Sequence, residues 1–233
     1  MNIGIIGSGN VGGTLGTRWA KGGHQVIFGS RDPGAADVKE LLARAGANAR
    51  AAKLQDAAKS ADVLLLATPW TVTKEIVQGL SDLTGKILID VTNPVLPDLS
   101  GLALGTTTSA GEQVAGWARG AKVVKTFNTV GSNIMANPAF GQEKPAFFFC
   151  GDDTSAKGKV KQLADELGFE AVDAGPLIQA RLLEPFALLW ISLAFKAGLG
   201  REFAFKLLRR YPCFVDPFKD RSIRYMLNYR KSH

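Results

Sequence analysis

A glycine pattern near the start of the chain has the spacing of a dinucleotide-binding loop. Gly7, Gly9 and Gly12 form the pattern G-x-G-x-x-G. The apolar residues 2–7 predict a strand before it, and residues 14–21 predict a helix after it. In this context Gly7 permits the tight turn, Gly9 lets the backbone approach a pyrophosphate, and Gly12 lets the helix pack closely on the strand. We therefore expect a dinucleotide cofactor, with its phosphates at the helix N-terminus.

The residues after the second predicted strand, 24–29, indicate which nucleotide is bound. An NAD site usually ends this strand with an acidic residue that accepts hydrogen bonds from the ribose. Here Ser30 can donate to a 2′-phosphate and the Arg31 guanidinium can pair with it, whereas a carboxylate would repel it. NADP is therefore the expected cofactor. In the alternative interpretation, Arg31 is a solvated turn residue and Asp32 binds the ribose.

Polar residues also follow four later predicted strands. These segments are Ala67-Thr68-Pro69-Trp70, Asp90-Val91-Thr92-Asn93-Pro94, Thr126-Phe127-Asn128-Thr129-Val130 and Cys150-Gly151-Asp152-Asp153. The carboxyl ends of parallel strands meet at one edge of a sheet, where the ligand lies. At that edge Asn93 and Asn128 could each offer a donor and an acceptor to a nicotinamide carboxamide or to a substrate carbonyl.

The alternation of apolar and amphipathic segments predicts an α/β fold. Predicted strands lie near 2–7, 24–29, 48–52, 62–67, 86–91, 121–126, 145–150 and 169–173. Predicted helices lie near 10–22, 34–46, 54–60, 71–80, 109–118 and 154–167. This order is typical of a Rossmann-type, doubly wound, mostly parallel sheet with a small helical C-terminal region. We expect an NADP-binding domain at 1–174 and a helical region at 175–233 that serves dimerisation and closes the pocket.

The usual proton donors for carbonyl reduction are missing from the body of the chain. Its one histidine, His24, follows the far end of the first predicted helix, where a loop hydrogen bond is expected. The first tyrosine is Tyr211, so a tyrosine acid cannot be placed in the sheet. Lys125 is the remaining weak candidate, although strand alternation could equally turn it to solvent. No catalytic side chain is assigned, which favours hydride transfer to a flavin or deazaflavin that handles its own protons.

Charge and cysteine content limit the other classes of function. The net charge is +7, and from Arg201 onward nine basic residues accompany three acidic ones. We expect this basic tail to be a helical extension that packs on the body or on a second subunit, rather than a nucleic-acid site. With two cysteines, Cys150 and Cys213, and no C-x-x-C motif, no metal site is expected and a reducing cytoplasm fits.

Membrane and secretory signals are also not expected. The longest apolar run, 186–195, is far shorter than the roughly 20 residues of a membrane-spanning helix. The first predicted strand begins at Asn2, which leaves no room for a signal peptide.

The motifs together resemble one enzyme family. The segments that carry the resemblance are GIIGSGNVGGTLGTRWAKGGHQVIFGSRDP, ATPW, DVTNP, VVKTFNTVGSN, FFFCGDD and DAGPLIQARLLEPFALLWISLA. They are similar to the NADPH-dependent coenzyme F420 reductases (F420H2:NADP oxidoreductases), and the same unit resembles the oxidoreductase domain of six-transmembrane ferric reductases. The resemblance runs from Met1 to about Leu199 and leaves out the basic tail.

The resemblance implies roles for particular residues. It implies pyrophosphate binding by Ser8, Gly9, Asn10 and Val11, and 2′-phosphate binding by Ser30 and Arg31. Cofactor contacts are implied for Thr68, Pro69, Trp70 and Asn93. Asn128 and the turn 174–177 are implied to lie near the hydride-transfer pocket. Asp32, Pro33, Gly34 and Ala35 stand where family members can carry further basic residues.

The sequence therefore predicts an NADP-dependent oxidoreductase, cytoplasmic and homodimeric, that moves hydride between NADPH and a deazaflavin or flavin of the coenzyme F420 type. Arg181 and Lys125 are candidate contacts for such an anionic acceptor. One alternative is an NADPH-dependent reductase of a small imine or ketone with Lys125 as the acid. Another is a redox sensor that binds NADP(H) without turnover.

Overall fold

Eight strands form one sheet in the computed structural model, which describes residues 1–80 and 82–210. The strands are β1 (Asn2–Ile6), β2 (Gln25–Ser30), β3 (Ala49–Lys53), β4 (Val63–Leu66), β5 (Ile87–Asp90), β6 (Lys122–Lys125), β7 (Ala146–Gly151) and β8 (Glu170–Asp173). Their order in the sheet is β3-β2-β1-β4-β5-β6-β7-β8. The first six strands are parallel, and the order reverses between β1 and β4. The expected Rossmann-type doubly wound sheet is confirmed.

Helices connect these strands and cover both faces of the sheet. They are α1 (Asn10–Lys21), α2 (Ala36–Ala45), α3 (Leu54–Ser60), α4 (Trp70–Gly79), α5 (Ala110–Trp117), α6 (Ser132–Ala136), α7 (Thr154–Glu166) and α8 (Ala180–Ile191). A 3₁₀ turn, Leu177–Gln179, precedes α8, and a π-helical turn, Ser192–Lys196, follows it. The short helix α6 was not predicted from the sequence.

Two apolar layers hold the sheet between its helices. Because successive strand residues point to opposite faces, Ile3 and Ile5 pack beneath α1, α2 and α7, whereas Leu64 and Leu66 pack beneath α4, α5 and α8. Every residue of β4 is buried. This double covering explains why the central strands are apolar throughout.

Strand β7 runs against β6, and this corrects one sequence expectation. Lys125 pairs with Cys150 and Val124 with Gly151 in antiparallel register. Residues 150–153 therefore run toward the amino end of β6, where Asp153 forms a 3.0 Å ion pair with Lys122. Their expected place at the carboxyl edge was wrong, because a strand buried on both faces gives the same apolar pattern in either direction.

The turn 174–177 lies beside the end of β7, level with β6 rather than beyond its carboxyl end. The Gly175 carbonyl accepts a hydrogen bond from the Gly151 backbone N–H at 3.1 Å. The Asp152 carboxylate accepts one from the Leu177 N–H at 2.9 Å. The Leu177 side chain lies beside Gly111 at the start of α5, and α8 then brings Leu183 to Asn128 and Glu184 to Lys125 at the expected ligand edge.

Residues 202–209 carry no helix, although they lie in the region predicted to be helical. The Phe205 carbonyl accepts a hydrogen bond from the Ala146 N–H at 2.8 Å. Phe203 stacks on Trp190 with ring centroids 5.3 Å apart, and Phe205 packs on Phe186 at 4.4 Å. We call residues 201–210 the C-terminal strap. The greater part of the predicted basic tail, 211–233, lies outside the described residues.

One described helical segment, Leu177–Lys196, is long and apolar enough to cross a membrane. Part of it is buried in the body, and Glu184 within it forms a 3.0 Å ion pair with Lys125 of β6. These contacts are those of a helix packed on the core of a folded domain. That the chain does not span a membrane stays a prediction.

Two truncations should separate the strap from the tail. Ending the chain after Gly200 removes Phe203 and Phe205, and loss of such aromatic packing should lower the free energy of unfolding by at least about 3 kcal/mol. Ending it after Arg210 keeps every described contact of the strap, so stability and NADPH affinity should stay near the wild-type values. Urea unfolding and NADPH fluorescence titration measure both. A loss of nucleotide affinity on ending after Arg210 would contradict the separation.

Candidate functional site

The glycine loop joins β1 to α1 in the form that the sequence predicts. Gly7 has a φ of +105°, and a Cβ there would lie 2.4 Å from the Ala67 carbonyl oxygen. A Cβ at Gly12 would lie 1.9 Å from the Gly7 carbonyl oxygen, whereas one at Gly9 would meet nothing within 4 Å. Gly7 and Gly12 are thus required by close packing. Gly9 borders open space that the phosphates of a dinucleotide could occupy.

The N-terminus of α1 has the features of an anion site. Among the described residues no side chain caps its N-terminus at Gly9, and its first turn contains no acidic residue. The dipole of this twelve-residue helix places its partial positive charge at the N-terminus, next to the loop. The residues present therefore fit a dinucleotide diphosphate.

A cavity of about 830 Å³ opens beside this loop. It extends from the glycine loop across the end of β2 to the start of α4. Six of the predicted cofactor residues line it, namely Gly7, Ser8, Ser30, Arg31, Thr68 and Pro69. The structure therefore brings the loop and the nucleotide-selecting residues into one cleft. Three carboxylates also line it, from Asp32, Asp37 and Glu75.

The turn after β2 presents a free guanidinium. Arg31 is exposed, and its guanidinium has no hydrogen bond or ion pair with the residues that the structure describes. The Ser30 hydroxyl donates to the Asp32 carbonyl at 2.9 Å and accepts from the Asp32 N–H at 3.1 Å. The Asp32 carboxylate accepts from the Gly34 N–H at 3.0 Å. Asp32 thus closes the turn that presents Arg31.

At the start of α4, hydroxyl contacts fix the second wall of the cavity. The Thr68 and Thr73 hydroxyls lie 2.8 Å apart, and Thr73 donates to the Pro69 carbonyl at 2.9 Å. The Trp70 ring stacks on Trp117 of α5, with centroids 5.4 Å apart and planes inclined by 26°. Trp70 is therefore packed against a neighbouring helix and does not line the cavity itself.

The two predicted amides, Asn93 and Asn128, meet at the ends of β5 and β6. Asn93 donates to the Asn128 carbonyl at 3.0 Å, and Asn128 donates to the Asn93 side-chain oxygen at 3.1 Å. Asn128 also donates to the Leu183 carbonyl of α8 at 3.1 Å. Its own Oδ1 atom is buried and has no hydrogen-bond partner among the described residues. An unpaired buried acceptor is costly, so this atom is a candidate ligand contact.

The backbone before Asn128 is strained. Phe127 has a φ of +53°, a conformation that side-chain-bearing residues rarely adopt. Its buried ring contacts Phe147 at a centroid distance of 3.9 Å and Trp19 at 5.9 Å. Such strain costs about 1–3 kcal/mol and persists where surrounding packing imposes it. Here the ring enters the core while the next residue turns toward Asn93.

Lys125 is fully buried in an ion triad with Asp90 and Glu184. Its ammonium lies 3.0 Å from each carboxylate and also donates to the Thr92 carbonyl. Burial alone would lower the pKa of Lys125, but the neighbouring charges of Asp90 and Glu184 outweigh it and raise that pKa. The expectation that Lys125 could face solvent was wrong, since both faces of β6 are covered. Its three N–H groups are all directed to these acceptors, which leaves it poorly placed as a proton donor.

The membership of Asp90 and Glu184 in a charged cluster was not predicted from the sequence. Glu184 accepts hydrogen bonds from the Ala110 and Gly111 N–H groups at the start of α5, at 2.9 and 3.0 Å. Asp90 accepts from Thr92 through both its N–H and its hydroxyl. One signal was available, because Glu184 is the only acidic residue in the apolar run 182–195. An acidic residue in such a run indicates a buried partner.

The other titratable candidates are engaged elsewhere. Arg181 binds Glu112 through two nitrogens at 2.7 and 2.8 Å. His24 contacts the Met1 amino group and Glu166 near the amino ends of the strands, away from the cleft, as expected. Burial raises the pKa of the Cys150 thiol to about 12, so it stays protonated at neutral pH. Arg181 is thus paired with a carboxylate, and Lys125 is fully buried in the ion triad.

Comparison with known proteins finds relatives that cover most of the chain. The family model for coenzyme F420-dependent NADP oxidoreductases matches residues 2–94. The F420-dependent NADP reductase of Methanothermobacter thermautotrophicus is 32% identical over 210 residues, which cover 83% of this chain and 89% of that protein. A solved structure from Arthrobacter sp. FB24, described as an F420-dependent NADP reductase, superposes with a TM-score of 0.80 at 32% identity. That match covers 90% of this chain and all of the other.

A partial relative extends the comparison. Metalloreductase STEAP3 of Rattus norvegicus is 30% identical over 187 residues. These cover 80% of this chain but only 36% of the metalloreductase, so the chain spans about a third of that protein's length.

The glycine loop, the cleft and these relatives define an NADP-dependent oxidoreductase with a Rossmann fold. Within that class, the chain belongs to the family of F420-dependent NADP reductases.

The ion triad can be tested by replacing its cation. Lys125→Met leaves Asp90 and Glu184 buried without a counter-charge, which should lower the free energy of unfolding by about 3–5 kcal/mol. Lys122→Met on the same strand breaks a partly exposed pair with Asp153 and should cost at most about 1 kcal/mol. Urea unfolding measures both variants. Because the pKa of Lys125 is raised, the contribution of the triad should persist at neutral pH and be lost only as pH rises into strong alkali.

A contrasting result would revive a catalytic role. If Lys125→Met kept its stability but slowed turnover by a hundredfold or more, Lys125 would act as a general acid. That outcome would favour the imine or ketone reductase.

Proposed function

We propose that the protein transfers hydride between NADPH and a deazaflavin of the coenzyme F420 type. The observation that carries the proposal is the pair of amides at the carboxyl edge with one unpaired acceptor among the described residues, while the neighbouring Lys125 is engaged in the ion triad. A deazaflavin takes hydride into its own conjugated ring, so a protein acid is not required. Relatives of this chain are named F420-dependent NADP reductases.

The cofactor would lie along the carboxyl edge of the sheet. In this proposal Gly7, Ser8, Gly9, Asn10, Val11 and Gly12 hold the diphosphate. Ser30 and Arg31 bind the 2′-phosphate, where Arg31 is exposed and unpaired among the described residues. Thr68 and Pro69 line one wall of the cavity and would contact the bound nucleotide there. Trp70 supports that wall through its stack on Trp117.

The nicotinamide end would be oriented by Asn93 and Asn128. The buried Oδ1 of Asn128 is a hydrogen-bond acceptor without a partner among the described residues, and a carboxamide N–H₂ group is a matching donor. Leu183 and Asn93 fix the Asn128 side chain through the hydrogen bonds of its amide nitrogen. Such positioning contributes to rate by holding the reacting carbon at a productive distance from the acceptor.

The alternatives are less well supported. An imine or ketone reductase needs a proton donor, and the candidate Lys125 directs its N–H groups to Asp90, Glu184 and the Thr92 carbonyl. A redox sensor would bind NADP(H) without turnover, which a kinetic measurement distinguishes.

A steady-state assay tests the proposed reaction. NADPH oxidation should begin on adding coenzyme F420, and parallel assays with FMN, FAD, a ferric chelate and a small imine identify other acceptors. Asn128→Ala should slow hydride transfer at least about tenfold, because the nicotinamide loses its fixed orientation. Absence of turnover with every acceptor, despite tight NADPH binding, would favour the sensor.

Asn133→Ala is the matched control. Asn133 also has a buried, unpaired side-chain oxygen, but its amide nitrogen binds Arg201 and Glu202 of the C-terminal strap. Its removal should leave the rate within about twofold of the wild type. Equal losses in the two variants would mean that Asn128 acts through folding alone.

The proposed assembly is a cytoplasmic homodimer joined through α8. Ile178, Leu182 and Leu189 are exposed by 50%, 66% and 48%, and their spacing puts them on adjoining parts of one helical surface. An exposed apolar stripe on the region predicted for dimerisation suits a second copy of the chain. The buried free thiol of Cys150 fits a reducing compartment.

Leu182→Glu tests this interface. A charge in the apolar stripe should shift the protein toward the monomer in sedimentation velocity, since an unpaired charge is costly to bury between subunits. Leu208→Glu, at a residue of the strap that is 80% exposed, is the control and should keep the assembly. A wild-type monomer at micromolar concentration would contradict the proposal.

A further inference from the structure

The nucleotide cleft has an unusual charge balance around the turn that would bind the 2′-phosphate. Among the described residues that line it, Asp32, Asp37 and Glu75 are acidic, and Arg31 is the one cation. A phosphate dianion would be repelled by these carboxylates and attracted by a single guanidinium. Arg31 alone is a weak counter-charge for such a ligand, so a second cation is needed beside the turn.

The structure supplies one from the neighbouring strand. Lys53 ends β3 and is in direct register with Ser30, which ends β2. Its ammonium donates to the Arg31 carbonyl at 2.5 Å. The next residue, Leu54, lines the cleft. Lys53 is therefore anchored against the turn that carries both proposed phosphate ligands.

Lys53 also keeps bonding capacity for a ligand. It is exposed, and among the described residues its side chain has no carboxylate partner. A lysine ammonium has three donors, and the Arg31 carbonyl takes one of them. Two donors and a full positive charge remain beside Ser30 and Arg31.

We infer that Lys53 is the second cation of the 2′-phosphate site and helps to select NADP over NAD. The inference rests on the proposed phosphate contacts of Ser30 and Arg31. No further cation follows Arg31 in the turn, where Asp32, Pro33 and Gly34 stand. The pairing of β3 with β2 thus places the positive charge of Lys53 beside Arg31, although the two residues are 22 positions apart in the sequence.

The inference predicts a selective loss of affinity. Lys53→Met should weaken NADPH binding about three- to tenfold, the effect expected of one partly solvated charged contact. NADH has no 2′-phosphate, so its dissociation constant should change less than about twofold. Lys53→Arg should keep most of the preference, because the charge remains. High salt should shrink the difference between wild type and Lys53→Met through screening.

Fluorescence titration of NADPH and NADH measures these constants in the full-length protein. Lys59→Met is the matched control, since it removes the same charge from an exposed residue of α3 without touching the turn, and it should leave both constants unchanged. Unchanged NADPH affinity in Lys53→Met would overturn the inference. Equal weakening of NADPH and NADH would also overturn it, because Lys53 would then act only through the shape of the turn.

The variant Arg31→Ala distinguishes failure of the proposed phosphate site from failure of the inference about Lys53. If the wild type binds NADPH and NADH equally, and Arg31→Ala weakens both alike, the proposed contacts of Ser30 and Arg31 are wrong. If the wild type prefers NADPH and Arg31→Ala removes that preference while Lys53→Met does not reduce it, the phosphate site stands and the role of Lys53 is rejected.

Discussion

The buried ion triad of Lys125, Asp90 and Glu184 is the interaction on which the nicotinamide end of the cleft depends. All three side chains are removed from water, and such charges are tolerated only when their partners are in place. The triad therefore allows one relative arrangement of β5, β6 and α8. The constraint reaches the site through the backbone, since Lys125 holds the Thr92 carbonyl beside Asn93 and α8 offers the Leu183 carbonyl to Asn128.

The strained turn at Phe127 completes this arrangement from the other face of the sheet. Its ring is buried in an aromatic cluster that includes Trp19 and Phe147. Burial of a large aromatic ring stabilises the fold by about 1.5–3 kcal/mol, which is comparable to the cost of a left-handed backbone. The core packing thus imposes the local conformation that aims Asn128 at Asn93. The amide pair is fixed by polar contacts on one face and by apolar packing on the other.

Several parts of the fold and site could be predicted because local chemistry demands them. Gly7 and Gly12 have conformations or neighbours that exclude any side chain, so their spacing alone identifies the loop. The direction of β7 could not be predicted, since a strand covered on both faces has no directional pattern. The environment of Lys125 could not be predicted either, because it depends on which helices cover β6. One of them, α8, begins 55 residues after Lys125 in the sequence.

The position of Lys53 beside the β2 turn could not be predicted either, because a local sequence pattern does not reveal the register between strands. The strap after Gly200 likewise depends on tertiary contacts with Trp190 and β7 rather than on helix propensity.

The late position of α8 in the chain has a consequence for the order in which the site can be completed during synthesis. The residues that line the nucleotide cleft end at Ile76, so that half of the site needs only the first third of the chain. The amide pair needs α8, which follows β8 late in the described chain and brings Leu183 and Glu184 to their partners. A ribosome-bound chain would acquire the means to hold a nucleotide well before the means to orient its reactive ring. Chains cut short between these points would sequester the cofactor without completing the proposed nicotinamide pocket.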